Sequence, residues 1–178
     1  MGDFITDIDS CLNPIYQEVK NTKQLKEDKT GMVIEINTTG KHSIYSFDLQ
    51  SKKAPELFPF FSKKAKLRQV SDYVTFCIRE NDAKPFALII ELKSQMDPTA
   101  QLWATQQFVE FLINRINAAC HTEYKPETRK IGCLKTMHSK LRNKFRSGGT
   151  KPSKVFYNNA QGIALLIGDK FVIADYLL

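Results

Sequence analysis

The chain has 178 residues, with 26 Lys+Arg against 19 Asp+Glu and a net charge of +7. That length suits one domain, and 42% apolar with 25% charged residues excludes collagen-like, coiled-coil and wholly disordered classes. No apolar run approaches the ~20 residues that cross a bilayer, so no membrane is expected.

The N-terminal MGDFITDIDS is acidic and lacks a basic region before an apolar core, so no secretory signal is expected there. Ile8 to Leu25 reads as a helix, with Asp7 or Asp9 as N-cap and Pro14 as an irregularity in its early turns. Gly31 to Asn37 and His42 to Leu49 read as strands around a Thr38–Lys41 turn. Ala54 to Phe61, with two prolines, allows at most a short helix. Tyr73 to Glu80 and Phe86 to Lys93 are strands, and the short Asn81–Pro85 turn makes them an antiparallel hairpin. Asp97 caps and Pro98 opens a helix running to about Ala119, with an apolar arc of Leu102, Phe108, Val109, Leu112, Ile113 and Ile116. Lys130 to Met137 reads as a strand, Ser139 to Phe145 as a short basic helix and Ser147 to Thr150 as a loop. Lys154 to Asn158, Gly162 to Ile167 and Phe171 to Leu178 complete the strands. This order gives an α/β fold, a mixed central sheet with flanking helices.

The cysteines, at 11, 77, 120 and 133, form no C-x-x-C pair, and no two of the three His have zinc-ligand spacing. Reduced, mostly buried thiols in a cytoplasmic protein are expected. Trp103 falls on the polar side of the long helix, as a stacking surface or an edge of the core.

The positive charge is concentrated. Arg129, Lys130, Lys135, Lys140, Arg142, Lys144, Arg146, Lys151 and Lys154 lie in a stretch without a single Asp or Glu. Nine charges exceed the net +7 of the whole chain, so the remainder is close to neutral. Such asymmetry points to a polyanionic partner, nucleic acid above all, with these nine residues on the phosphates.

Glu91 and Lys93 end an apolar strand and project on one face. A carboxylate and an ammonium there neutralise each other, bind a metal or face a cleft, because burying them otherwise is costly. Counted from a turn centred near Ala83, Asp72 arrives beside them at the open end of the hairpin. Two carboxylates suit Mg²⁺, with Mn²⁺ as a substitute, and Lys93 would orient the attacking water or neutralise developing charge.

The run S-D-Y-V-T-F, followed 19 residues after Asp72 by I-I-E-L-K, resembles the core of the PD-(D/E)XK nuclease superfamily, with Ser71 in place of the Pro. The helix–strand–strand–strand–helix–strand order agrees. The resemblance implies a restriction-endonuclease-like core over about residues 8–137 of a single 1–178 domain, with a basic C-terminal extension over 138–178. It implies metal-dependent hydrolysis of nucleic-acid phosphodiesters, DNA before RNA, through Asp72, Glu91 and Lys93. Gln101, or next Gln106, would be the helix-borne Gln. Glu18 would be the first-helix metal ligand, with Glu27 and Glu35 as alternatives. A homodimer or larger assembly would serve cleavage of both strands. The competing readings are a non-catalytic nucleic-acid-binding module on the same fold, an interaction subunit with an acidic partner, and an incidental salt bridge of Lys93 with Glu91 or Asp72.

Overall fold

The computed structural model describes residues 3–17, 24–27, 32–35, 41–47, 70–79, 83–93, 97–136, 146–148, 154–158 and 162–167. The elements in chain order are helix α1 (Phe4–Cys11), a 3₁₀ turn (Pro14–Tyr16), β1 (Gln24–Glu27), β2 (Met32–Glu35), β3 (His42–Tyr45), β4 (Tyr73–Ile78), β5 (Pro85–Lys93), α2 (Thr99–Cys120), β6 (Glu127–Leu134), β7 (Arg146–Gly148), β8 (Lys154–Asn158) and β9 (Ile163–Ile167). The fold is α/β, as expected.

Seven of these strands make one mixed sheet in the order β3-β4-β5-β6-β9-β8-β7. The β3–β4–β5 portion is antiparallel, β5–β6 and β6–β9 are parallel, and β9–β8–β7 is antiparallel again. The basic C-terminal region is therefore no appendage. It supplies three strands to the sheet that the first part of the chain begins, and Ser147–Gly148, expected in a loop, lie in one of them.

Alternation along the strands sorts their side chains onto two faces. On one face Val74, Phe76, Ala87, Ile89, Leu134 and Leu165 pack with Phe4 and Ile8 of α1 and with Leu102, Phe108, Val109, Ile113 and Ile116 of α2. On the other, Tyr73, Cys77, Phe86, Leu88, Ile90, Leu92, Ile131, Cys133 and Leu166 pack with Leu25 of β1. The helix expected over Ile8 to Leu25 is corrected. The chain is helical ahead of Pro14, not through it, because Pro cannot donate within a helix and pushes the residue before it to extended backbone. Asn13 is extended (φ −64°, ψ 122°) and its side chain accepts the Ile15 N–H, which ends α1 and starts the 3₁₀ turn. Asp7 and Asp9 lie inside α1, whose N-cap position is held by Asp3. They accept the hydroxyls of Tyr124 at 2.6 Å and Tyr45 at 2.7 Å, locking α1 onto the sheet and onto the loop after α2.

Pro98, not Asp97, takes the N-cap position of α2, and Asp97, one residue ahead of it, still accepts the Thr99 N–H at 3.0 Å. Among the described residues no helix is long and apolar enough to cross a membrane. The expected elements over 54–61, 139–145 and 171–178 lie outside the described residues.

Candidate functional site

The hairpin register decides which residues meet. Tyr73 pairs with Ile90 and Ile78 with Pro85, and the Arg79 N–H closes the loop on the Lys84 carbonyl at 2.9 Å. Ala83, at φ +54°, makes the left-handed step that the turn needs. One step beyond the last pair, Asp72 stands opposite Glu91. This register differs from the one counted on a turn centred at Ala83, so Asp72 meets Glu91 rather than Lys93.

The two carboxylates clasp each other's backbone. The Asp72 N–H donates to Glu91 Oε2 at 3.1 Å, and the Leu92 N–H donates to Asp72 Oδ2 at 2.7 Å. Hydrogen bonds from main-chain N–H groups favour the charged form of a carboxylate and fix its direction. Glu91 is fully buried and Asp72 half-buried. Cys133, across from Leu92 on β6, is wholly buried. Burial and the nearby Asp72 and Glu91 charges push its thiol well above the usual range, which makes it inert rather than nucleophilic. Lys93 closes β5 opposite Leu134. Its side chain lies outside the described residues, as does the whole of Glu18. Glu27 and Glu35 are described in backbone only, on β1 and β2.

Helix α2 fixes the segment that carries Asp72. Gln101 Nε2 donates to the Val70 carbonyl at 3.4 Å, two residues from Asp72. The buried Thr105 hydroxyl accepts the Ser71 N–H at 2.6 Å. Its single proton has two acceptors in reach, the Gln101 carbonyl at 2.8 Å and the Ser71 hydroxyl at 3.1 Å. Thr105 and Ser71 were not anticipated. A Thr at a core position of an amphipathic helix needs a polar partner, and that was the available signal.

Gln106 belongs elsewhere. It donates to Glu110 at 2.9 Å and accepts from Lys130 Nζ at 2.8 Å. Lys130 itself is buried, with 6% of its surface exposed, and its ammonium lies 3.4 Å from the centre of the half-exposed Trp103 ring. Its place among phosphate-gripping residues is thus corrected: β6 turns its side chain inward beneath α2. Desolvation lowers its pKa, and the Glu110 charge partly opposes that. Arg129 faces the other side of the sheet, where it pairs with Glu127 and approaches the Phe86 ring. Lys135 is exposed. Lys140, Arg142, Lys144 and Lys151 lie outside the described residues, and Arg146 and Lys154 are described in backbone only, on β7 and β8.

Among the described residues there is no group of three or more His, Cys, Asp or Glu placed to hold a metal. The chemistry-bearing unit they contain is the Asp72–Glu91 clasp, steadied by Gln101 and Thr105. Comparison with protein-family models, with curated proteins and with solved structures gave no match.

Proposed function

We propose that the chain is a divalent-metal-dependent nuclease built on a restriction-endonuclease-like core, with Asp72, Glu91 and Lys93 at its centre. The observation that carries this reading is the clasp: two carboxylates, remote in sequence, held at one end of a buried hairpin with one oxygen each fixed by a backbone N–H. The element order supports it too, since the β3–β4–β5 meander, α2 and β6 follow the order that the resemblance implies, with β1 and β2 added between α1 and β3.

Two adjacent carboxylates are a hard-oxygen donor set that fits Mg²⁺, which keeps several waters and takes one or two carboxylates plus phosphate oxygens. The set contains no nitrogen or sulfur donor of the kind that zinc prefers. Asp72 and Glu91 would hold the ion, and it would supply a lowered pKa for the attacking water and neutralisation of charge growing on the phosphate. The backbone N–H groups of Asp72 and Leu92 fix the direction of one oxygen of each carboxylate. Lys93 orients the water or offsets the developing negative charge. Gln101 and Thr105 set the position of Asp72 from α2, and Gln106 has no part in the reaction. The basic residues of 135–154 grip the phosphate backbone.

Purified protein incubated with supercoiled plasmid and with single-stranded DNA is expected to cleave in Mg²⁺ or Mn²⁺ and to stop in EDTA. Asp72→Asn, Glu91→Gln and Lys93→Ala each remove cleavage and leave DNA binding in place. The first two keep an oxygen to accept the backbone N–H, so folding survives the loss of charge. A second reading, a non-catalytic nucleic-acid-binding module, draws on the same clasp, since hydrogen bonds of this kind also serve purely to tie a strand entry. It predicts salt-sensitive binding by every variant and cleavage by none.

A further inference from the structure

Helices α1 and α2 both end in a cysteine, Cys11 and Cys120, and the two ends meet. Their sulfurs are 3.4 Å apart although 109 residues separate them in the chain. A disulfide bond is about 2.05 Å long, so closure needs an approach of roughly 1.4 Å. Neighbouring contacts hold the ends together. Tyr124, just past α2, donates its hydroxyl to Asp7 of α1 at 2.6 Å and packs its ring edge-on against Phe4 at 5.0 Å. Cys11 is exposed and Cys120 half-buried, whereas Cys77 and Cys133 are buried in the sheet.

We propose that Cys11 and Cys120 are a modification site, a dithiol that closes to a reversible disulfide joining the N-terminal helix to the far end of α2. The oxidant is a peroxide or a small-molecule disulfide. With hydrogen peroxide, the exposed Cys11 thiolate takes one oxygen to become a sulfenic acid and hydroxide leaves. The Cys120 sulfur then attacks that sulfur, and one water departs with the thiol proton. With oxidised glutathione, Cys11 exchanges first and releases one glutathione. Cys120 attacks the mixed disulfide and releases the second. The division of labour follows from placement. The hydrogen bond with Cys11, partial burial and the nearby Cys11 and Asp7 charges raise the Cys120 pKa, so this thiol keeps its proton and resolves rather than initiates.

The test uses the full chain, reduced and then exposed to oxidised glutathione or hydrogen peroxide. Free thiols are alkylated under native conditions and the peptides mapped by mass. A Cys11–Cys120 cross-linked peptide, two hydrogens lighter than its parts, is expected as the dominant product. Cys77 and Cys133 should remain thiols. Because the bridge closes a long loop, the oxidised chain should melt ~10 °C higher and return on treatment with dithiothreitol. Cys120→Ser should instead accumulate the glutathione adduct on Cys11. Three outcomes would each overturn the proposal: a stable glutathione adduct on Cys11 of the unaltered chain beside an alkylatable Cys120, cross-links through Cys77 or Cys133, or an unchanged melting temperature in the cross-linked form.

Discussion

Gly132 lies opposite Glu91 on the neighbouring strand, where the start of α2 crosses the sheet. A methyl group there would stand 2.6 Å from both the Pro98 ring and the Leu165 side chain, closer than carbon atoms pack. Neither the ring nor a core leucine moves freely, so Gly132→Ala should lower unfolding stability in urea by ~1–3 kcal/mol. It should also displace the helix start that carries Gln101. Another residue-level expectation concerns Glu127. Its hydrogen bond with Lys84 and the neighbouring Arg129 and Arg79 charges hold its pKa below the usual 4.5, against the opposing effect of partial burial. A depressed carboxylate stabilises the fold above its unfolded pKa and loses that contribution as the pH falls through the folded value. Acid titration of stability should therefore show a decline beginning near 4.5, and Glu127→Gln should flatten it. Lys130 shows what a run of charges leaves unsaid. Residues 129–154 carry a local excess of cations, but strand alternation, not charge, sets which side of the sheet those on β6 face.

At the scale of elements, Thr105 links α2 to the entry of β4. Thr105→Val deletes the acceptor of a buried N–H and should cost ~1–3 kcal/mol in denaturant melts. Thr105→Ser keeps the hydroxyl and should recover most of the hydrogen-bond part of that loss. Both hairpin strands and α2 were legible in the sequence, because β-branched runs, a turn and an Asp97-Pro98 start agree at every level. The exact facing of Asp72 was not legible, since it depends on where a turn of 79–84 is centred. A shift of about one residue in that centre exchanges Lys93 for Glu91 as its partner. The first helix was misplaced for a different reason. An apolar period continues past residue 11, but Pro14 overrides it, and the hydroxyls that recruit Asp7 and Asp9 come from Tyr124 and Tyr45, which no local pattern reveals. The α2 arc, by contrast, needed only its own spacing: Leu102, Phe108, Val109, Ile113 and Ile116 are all buried.

For the whole molecule, the proposed nucleic-acid contact makes a quantitative claim about salt. A footprint of ~6 phosphates loses roughly 10³ in affinity between 50 and 200 mM salt. Lys140→Ala or Arg142→Ala should reduce the slope of log affinity against log salt by about 0.9 each. Lys130→Ala should leave that slope unchanged, since its ammonium is spent on Gln106 and Trp103. Fluorescence anisotropy of a labelled oligonucleotide across a salt series separates these cases. The sheet order also bears on how the chain reaches its native state. The β3–β4–β5 meander pairs strands that follow one another in the chain, whereas β6 waits on its far side for β9, the last strand among the described residues. Until Ile163–Ile167 arrive, Ile131, Cys133 and Leu134 line an open strand edge. A chain ending before residue 162 would keep that edge permanently, and a ribosome-stalled or proteolysed product of that length is expected to seek another strand and aggregate.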